Sequence, residues 1–230
     1  MTETGSGTNT TGAFIPTLMD VLEDELCIDT AREYATGMSN GDMVAYQLGV
    51  ALSHRIAAIV PVATTFPLGS LEAPDHPVAL MHLHGTRDSV IPALKEYSDM
   101  VFVSRTLRQQ HVRWEYTPTA MVLTAWAAAN RCGDPEVKRG ILNTARRPRQ
   151  SRGWLTECVE FGTDCDGGAV AARCLWNGEH EYLGNALTYG GVHAPFVYDF
   201  LKRYTKPAHV GKGEVDEGAP SLGSVVDSEF

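Results

Sequence analysis

Apolar residues follow two different spacings along the chain, and each spacing indicates a type of element. Residues 14–28 and 40–52 carry apolar side chains three or four positions apart, which is the period of an amphipathic helix. Residues 56–63 and 77–84 are nearly continuous apolar runs of strand length, typical of strands buried on both faces. The same criteria predict strands at 34–36 and 169–176, a buried helix at 121–130 and a closing helix at 195–204.

The alternation of helices with buried strands predicts the fold class. It indicates an α/β fold, in which helices flank a mostly parallel sheet. We expect one domain over residues 13–206. Residues 1–12 and 207–230 are polar and rich in Gly or Pro, so we expect a disordered leader and a disordered tail.

The charge balance argues against two classes of partner. The chain has 19 Lys and Arg against 28 Asp and Glu, a net charge of −9, which opposes attraction to nucleic acid or to an anionic membrane. The longest apolar run, residues 56–63, is far shorter than the ~20 residues that span a bilayer. A basic run at 131–152 lacks interleaved aromatic residues, so we interpret it as a solvated loop. The sequence predicts neither a nucleic-acid nor a membrane partner.

Metal ligation has one candidate pair. His82 and His84 are two residues apart and therefore on one face of a strand, but no third ligand at suitable spacing is evident. The five cysteines include no C-x-x-C pair. We prefer the interpretation that the two histidines pack at a strand end, and we expect no metal or other cofactor.

The pentad Gly37-Met38-Ser39-Asn40-Gly41 matches the pattern G-x-S-x-G. It stands where the predicted strand at 34–36 ends and the predicted helix at 40–52 begins. A sharp strand-to-helix turn of this kind exposes a serine hydroxyl beside a helix N-terminus, which favours developing negative charge. The pattern therefore predicts Ser39 as a nucleophile.

A serine nucleophile requires a histidine as base and a carboxylate that orients the histidine. In α/β-hydrolases the carboxylate follows the serine along the chain, and the histidine follows the carboxylate. Asp88 follows the predicted strand at 77–84 and has the position of such an acid, although a turn-forming surface role is an equal alternative. Two histidines remain candidates for the base. His180 lies in a loop after the last predicted strand and is preferred, while His193 lies nearer the closing helix.

Five segments together resemble the esterases grouped with polyhydroxybutyrate depolymerases and feruloyl esterases, within the α/β-hydrolase superfamily. The resemblance extends over about residues 14–204. The matching segments are residues 35–41, residues 52–63, the His-Leu-His-Gly-Thr-Arg-Asp sequence at 82–88, residues 126–132 and the Asn-Gly-Glu-His sequence at 177–180.

This resemblance implies a serine carboxylic-ester hydrolase with Ser39 as nucleophile, Asp88 as acid and His180 as base. The backbone amide of Asn40 would supply an oxyanion donor. Tyr182 would replace the family's aromatic wall against the substrate, and a packing role is an equal alternative. The implied substrates are polyhydroxyalkanoates or feruloyl and acyl polysaccharides. The resemblance also implies a Cys132–Cys165 disulfide and, with it, an extracellular or periplasmic location, although residues 1–12 lack a signal peptide.

Three departures from the family pattern favour an alternative. Asp42 stands where the family has Gly, and Glu181-Tyr182-Leu183-Gly184 replaces Thr-Trp-Pro-Gly. Only 38 residues precede Ser39 and they contain no His-Gly loop, so we expect an amino-terminally truncated sheet without the second oxyanion donor. The alternative is a catalytically impaired remnant or a binding protein.

Overall fold

A computed structural model shows how these segments pack. It describes residues 10–94, 102–103, 111–112, 115–134, 138–140, 155–182 and 193–207. Residues 1–9 of the predicted leader, and most of the predicted tail and of the basic run, lie outside these residues.

The helices and strands that the sequence predicts are present, with bounds close to those expected. The helices are α1 (Thr10–Glu25), α2 (Asn40–Ala51), α3 (Thr119–Ala129) and α4 (His193–Leu201). The strands are β1 (Glu33–Thr36), β2 (Ile56–Val60), β3 (Ala79–Gly85), β4 (Phe102–Val103), β5 (His111–Val112), β6 (Lys138–Gly140), β7 (Leu155–Phe161) and β8 (Ala171–Trp176).

Six strands form one mixed sheet in the order β1-β2-β3-β8-β7-β6. The first four are parallel neighbours, whereas β7 and β6 pair antiparallel beyond β8. Strands β2, β3 and β8 are buried along their whole length, because helices cover both faces of the sheet. The predicted α/β class is confirmed.

The core forms two apolar layers, one on each side of the sheet. Helices α2 and α3 cover one face, where Tyr46 and Trp126 pack with Ile59 and Leu80. Helix α4 covers the other face, where Phe200 and its neighbours pack against residues of β2, β3 and β8. The first layer, between α2 and the sheet, lies behind the predicted nucleophile.

Helix α1 is attached mainly through charge. The Arg55 guanidinium binds Asp20 at 2.7 Å, Glu23, and Glu33 at 3.4 Å, and only 8% of the Arg55 side chain is exposed. The apolar stripe that predicted this helix is instead 38–60% exposed at Phe14, Leu18, Val21, Leu22 and Leu26. The helix also begins at Thr10, inside the predicted leader.

Strands β6 and β7 were not predicted. Part of the basic run, Lys138–Gly140, is the short strand β6 and not a loop, because its backbone pairs with β7. The structure contains the implied Cys132–Cys165 disulfide and a second one, Cys158–Cys174, which joins β7 to β8. No helix in the described part of the chain is long and apolar enough to cross a membrane.

Candidate active site

Ser39 sits in a strained turn between β1 and α2. Its backbone dihedrals are φ 57° and ψ −127°, a conformation that is costly for a residue with a side chain. The Ser39 N–H donates to the Val62 carbonyl at 3.0 Å, and this bond attaches the turn to the end of β2. The turn therefore holds the Ser39 hydroxyl at the carboxyl end of the parallel strands.

The two glycines of the pentad have different roles. A Cβ at Gly37 would stand 2.9 Å from the carbonyl carbon of Gly41, so no side chain fits there. A Cβ at Gly41 would meet nothing within 4 Å. Steric crowding therefore explains the glycine at position 37 but not the one at position 41.

Asp88 lies in the loop after β3, and the loop satisfies one of its carboxylate oxygens. The backbone N–H groups of Val90 and Ile91 each donate to Oδ1 at 2.9 Å. Burial raises the pKa of Asp88, but hydrogen bonds from His180 and His84 outweigh that effect and lower the pKa to about 2. Asp88 is therefore a carboxylate at neutral pH, buried at the end of a strand, and not a surface turn residue.

The loop that carries His180 packs directly against the Asp88 loop. A Cβ at Gly85 would lie 2.5 Å from the Gly178 carbonyl oxygen, so the close approach of the two loops requires glycine. The Thr86 N–H donates to the Trp176 carbonyl and the Arg87 N–H to the Gly178 carbonyl, each at 2.8 Å. These bonds continue the β3–β8 pairing beyond the sheet and place His180 beside Asp88.

The structure brings together three residues that are far apart in sequence. His180 Nε2 lies 2.9 Å from Ser39 Oγ, and His180 Nδ1 lies 2.8 Å from Asp88 Oδ2. Because the Asp88 carboxylate can only accept, Nδ1 is the donor in this pair, and in a neutral imidazole Nε2 then accepts a hydrogen bond from the Ser39 hydroxyl. The arrangement has the atoms needed to activate Ser39 as a nucleophile.

The other predicted site residues lie nearby or are only partly described. Asn40 is exposed and is the first residue of α2, so its N–H is one of the amides without a partner inside the helix. Tyr182 is half-buried and packs on the α4 layer. His193 begins α4, and its side chain lies outside the described residues.

Two features of the site were not assigned a role from sequence. The Asp42 carboxylate is buried under the turn, where it accepts from the Val62 N–H, and burial raises its pKa to about 8. His82 and His84 are buried as expected, but they are also hydrogen-bonded to each other, and His84 lies 3.2 Å from Asp88. Their spacing just before the acid loop was the available signal.

Metal binding finds no support at this pair. Within the described residues, no group of three or more His, Cys, Asp or Glu side chains could hold a metal ion.

Comparison with known proteins finds similarity to esterases over about a third of the chain. A segment of 87 residues is 36% identical to feruloyl esterase C of Emericella nidulans and covers 36% of this chain and 32% of that protein. The bifunctional acetylxylan esterase/xylanase XynS20E of Neocallimastix patriciarum is 34% identical over 78 residues, which cover 34% of this chain and 12% of that protein. Feruloyl esterase D of Neurospora crassa is 28% identical over 101 residues, 44% of this chain and 32% of that protein.

The matched segment thus spans about a third of the length of these feruloyl esterases. No family model matches the chain.

Proposed function

We propose that this protein hydrolyses carboxylic esters through Ser39, His180 and Asp88. The observation that carries the proposal is the continuous pair of hydrogen bonds from Ser39 Oγ to His180 and from His180 to Asp88, at 2.9 and 2.8 Å. The partial similarity to feruloyl and acetylxylan esterases supports the same reaction class.

The reaction begins when Ser39 Oγ attacks the ester carbonyl carbon while its proton moves to His180 Nε2. Asp88 stabilises the imidazolium that forms, and the Asn40 N–H donates to the carbonyl oxygen as it gains negative charge. His180 then passes the proton to the leaving alcohol, which leaves an ester between Ser39 and the acyl group. Water, activated by His180, releases the acid and restores Ser39.

The substrates we propose are feruloyl or acetyl esters of plant polysaccharides. The names of the two kinds of relative specify feruloyl and acetylxylan esters, and Asn40 and Gly41, which follow Ser39 in the turn, are exposed and leave room for a bulky substrate. Polyhydroxyalkanoate esters, which the sequence resemblance also implies, present the same carbonyl chemistry. Tyr182, beside His180 in the chain, is the proposed aromatic wall.

Hydrolysis of p-nitrophenyl acetate and methyl ferulate by the purified chain tests this function. We expect Ser39→Ala to lower kcat/KM at least ~10³-fold while the circular dichroism spectrum is retained, because the nucleophile is lost but the turn is not. Ser70→Ala is the matched control, since its hydroxyl donates to the Pro67 carbonyl at 2.8 Å. A serine-directed phosphonate should label Ser39, and full activity in Ser39→Ala would exclude the mechanism.

One observation favours the alternative of a catalytically impaired or binding protein. Strand β1, which leads into Ser39, is an edge strand of the described sheet, so within the described residues no further strand lies beside it to carry a second oxyanion donor. Loss of one such donor costs about 10²–10³ in kcat in a well-studied hydrolase. A folded wild-type chain without turnover or phosphonate adduct would establish this alternative.

We also propose that the protein works in an oxidising compartment, outside the cytosol. Its two disulfides support this, because structural disulfides persist mainly in exported proteins.

A further inference from the structure

A chain of buried hydrogen bonds runs from α2 through β3 to the Asp88 loop. Tyr46 Oη lies 2.8 Å from His82 Nδ1, and His82 Nε2 lies 2.9 Å from His84 Nδ1. His84 Nε2 lies 2.7 Å from the Ile91 carbonyl oxygen and 3.2 Å from Asp88 Oδ2. Tyr46, His82 and His84 are all fully buried.

The direction of this chain follows from its last acceptor. The Ile91 carbonyl can only accept, so His84 Nε2 must carry a proton. In a neutral imidazole, His84 Nδ1 then accepts from His82 Nε2–H, and His82 Nδ1 accepts from the Tyr46 hydroxyl. Three successive donors therefore point toward Asp88.

The surroundings favour the neutral forms of His82 and Tyr46. Burial, followed by the effects of His84 and Arg173, holds the pKa of His82 well below its usual value. Burial, with a smaller effect of Asp42, raises the pKa of Tyr46 well above its usual value. The ionisable groups facing the chain are thus Asp42 on α2 and Arg173 on β8, while Tyr116 and His180 face Asp88.

We propose that Tyr46, His82 and His84 form a positioning relay that orients the Asp88 carboxylate toward His180 and moderates its negative charge. The two oxygens of Asp88 have different partners. Backbone amides hold Oδ1, whereas Oδ2 is shared between His180 at 2.8 Å and His84 at 3.2 Å.

This inference rests on the proposed function, because it assigns the relay to the same Asp88 and His180. The hydrogen bonds of the relay lead to Asp88 and to the Ile91 carbonyl, so its effect on catalysis would pass through Asp88. A neutral donor reduces the negative potential that a carboxylate exerts on its other partner. Without His84, the carboxylate should attract the imidazolium form of His180 more strongly, and His180 should keep its proton to higher pH.

The experiment follows the titration of the His180 ring by NMR on the full chain, in parallel with the pH profile of ester hydrolysis. His84→Leu removes the donor, whereas His84→Gln keeps an N–H near the position of Nε2. Tyr46→Phe removes only the outermost hydroxyl and keeps the ring that packs on Trp126 and Phe66. Tyr34→Phe is the matched control. It removes the 2.9 Å hydrogen bond from the Tyr34 hydroxyl to the Tyr204 carbonyl, which is not part of the relay.

We expect the His180 midpoint to rise by ~0.5 pH unit in His84→Leu, by less in Tyr46→Phe, and not at all in His84→Gln or Tyr34→Phe. The acid limb of the hydrolysis profile should move in the same direction. For His84→Leu, kcat should fall ~10-fold with little change in KM, because the substrate site is untouched. Imidazole nitrogen shifts should show both relay histidines protonated on Nε2.

Several results would overturn the relay. The first is a His180 titration midpoint that is unchanged or lowered in every folded relay variant. The second is a His180 midpoint in His84→Gln that rises as much as it does in His84→Leu. The third is a proton on Nδ1 of His82. If His84→Leu does not fold, Tyr46→Phe decides the question by the same readout. A wild-type chain that shows the NMR shifts but hydrolyses no ester would contradict the proposed function and leave the relay standing.

Discussion

Asp42 places a carboxylate where water does not reach, three residues after Ser39. It accepts from the Val62 N–H, and this bond holds the turn against the end of β2. Desolvation is the larger effect and raises the pKa of Asp42 to about 8, so the folded protein binds a proton there that the unfolded chain has lost above pH 4. A single residue thus couples the geometry of the turn to pH.

This coupling predicts that stability falls as pH rises. Between pH 5 and 8 the folded state holds one more proton at Asp42 than the unfolded state, so Asp42 alone lowers the free energy of unfolding by at most about 1.4 kcal/mol per pH unit. Asp42→Asn should flatten this decrease in urea unfolding measured at pH 5, 6.5 and 8. Asp29→Asn, at an exposed ion pair, is the control and should keep the wild-type slope.

Helix α1 shows how an element can be held without its apolar stripe. One face carries Asp20 and Glu23, which meet Arg55, while Met19 packs at the edge of the α2/α3 layer. Burial raises the pKa of Glu33, the third partner of Arg55, to about 7. The attachment therefore depends on one cation that compensates buried carboxylates.

Replacing that cation should release the helix. Arg55→Met leaves the side chains of Glu23 and Glu33, 3% and 10% exposed, without their counter-ion, and we expect a loss of about 3–5 kcal/mol. Hydrogen exchange should then show α1 amides losing protection before those of β2. Asp20→Asn should change stability by less than ~1 kcal/mol, because Asp20 is 60% exposed. Equal effects of the two variants would contradict this account.

At the scale of the whole molecule, both disulfides lie in the carboxyl-terminal half of the described chain. Cys132–Cys165 joins the end of α3 to the turn before β8, and Cys158–Cys174 joins β7 to β8. Both therefore hold β8, the strand that leads to His180. The Asn130 side chain reinforces the same junction, since it bonds to Val78 on one side and to the Ala169 carbonyl on the other.

Reduction should accordingly destabilise the molecule. The disulfides close 33 and 16 positions of sequence, and each is expected to contribute about 2–4 kcal/mol. For a chain of this size the melting temperature should fall by ~10–20 °C in a reductant. Cys27→Ser is the control, since Cys27 is a free, exposed cysteine and should not matter. An unchanged melting temperature after verified reduction would contradict the prediction.

Most of the fold could be predicted because its signals are local. The buried strands β2, β3 and β8 read as apolar runs, and the turn at Ser39 has a five-residue pattern at a strand-to-helix junction. Strand β7 was missed, because its residues carry no continuous apolar run and it is defined by pairing with β8. The apolar stripe of α1 correctly indicated a helix but not its buried side, because periodicity shows that a helix has an apolar side and does not show which side is buried.

The class of fold, the turn that carries Ser39 and the two candidate histidines follow from the order of residues alone, because each depends on residues close together in the chain. The position of His180 between Ser39 and Asp88, across 141 and 92 positions of sequence, depends instead on how the chain folds. The connection of Asp88 to Tyr46 through His82 and His84 depends on it as well. Such distances are set by the pairing of β3 with β8 and the packing of α2 on the sheet, which local pattern does not encode.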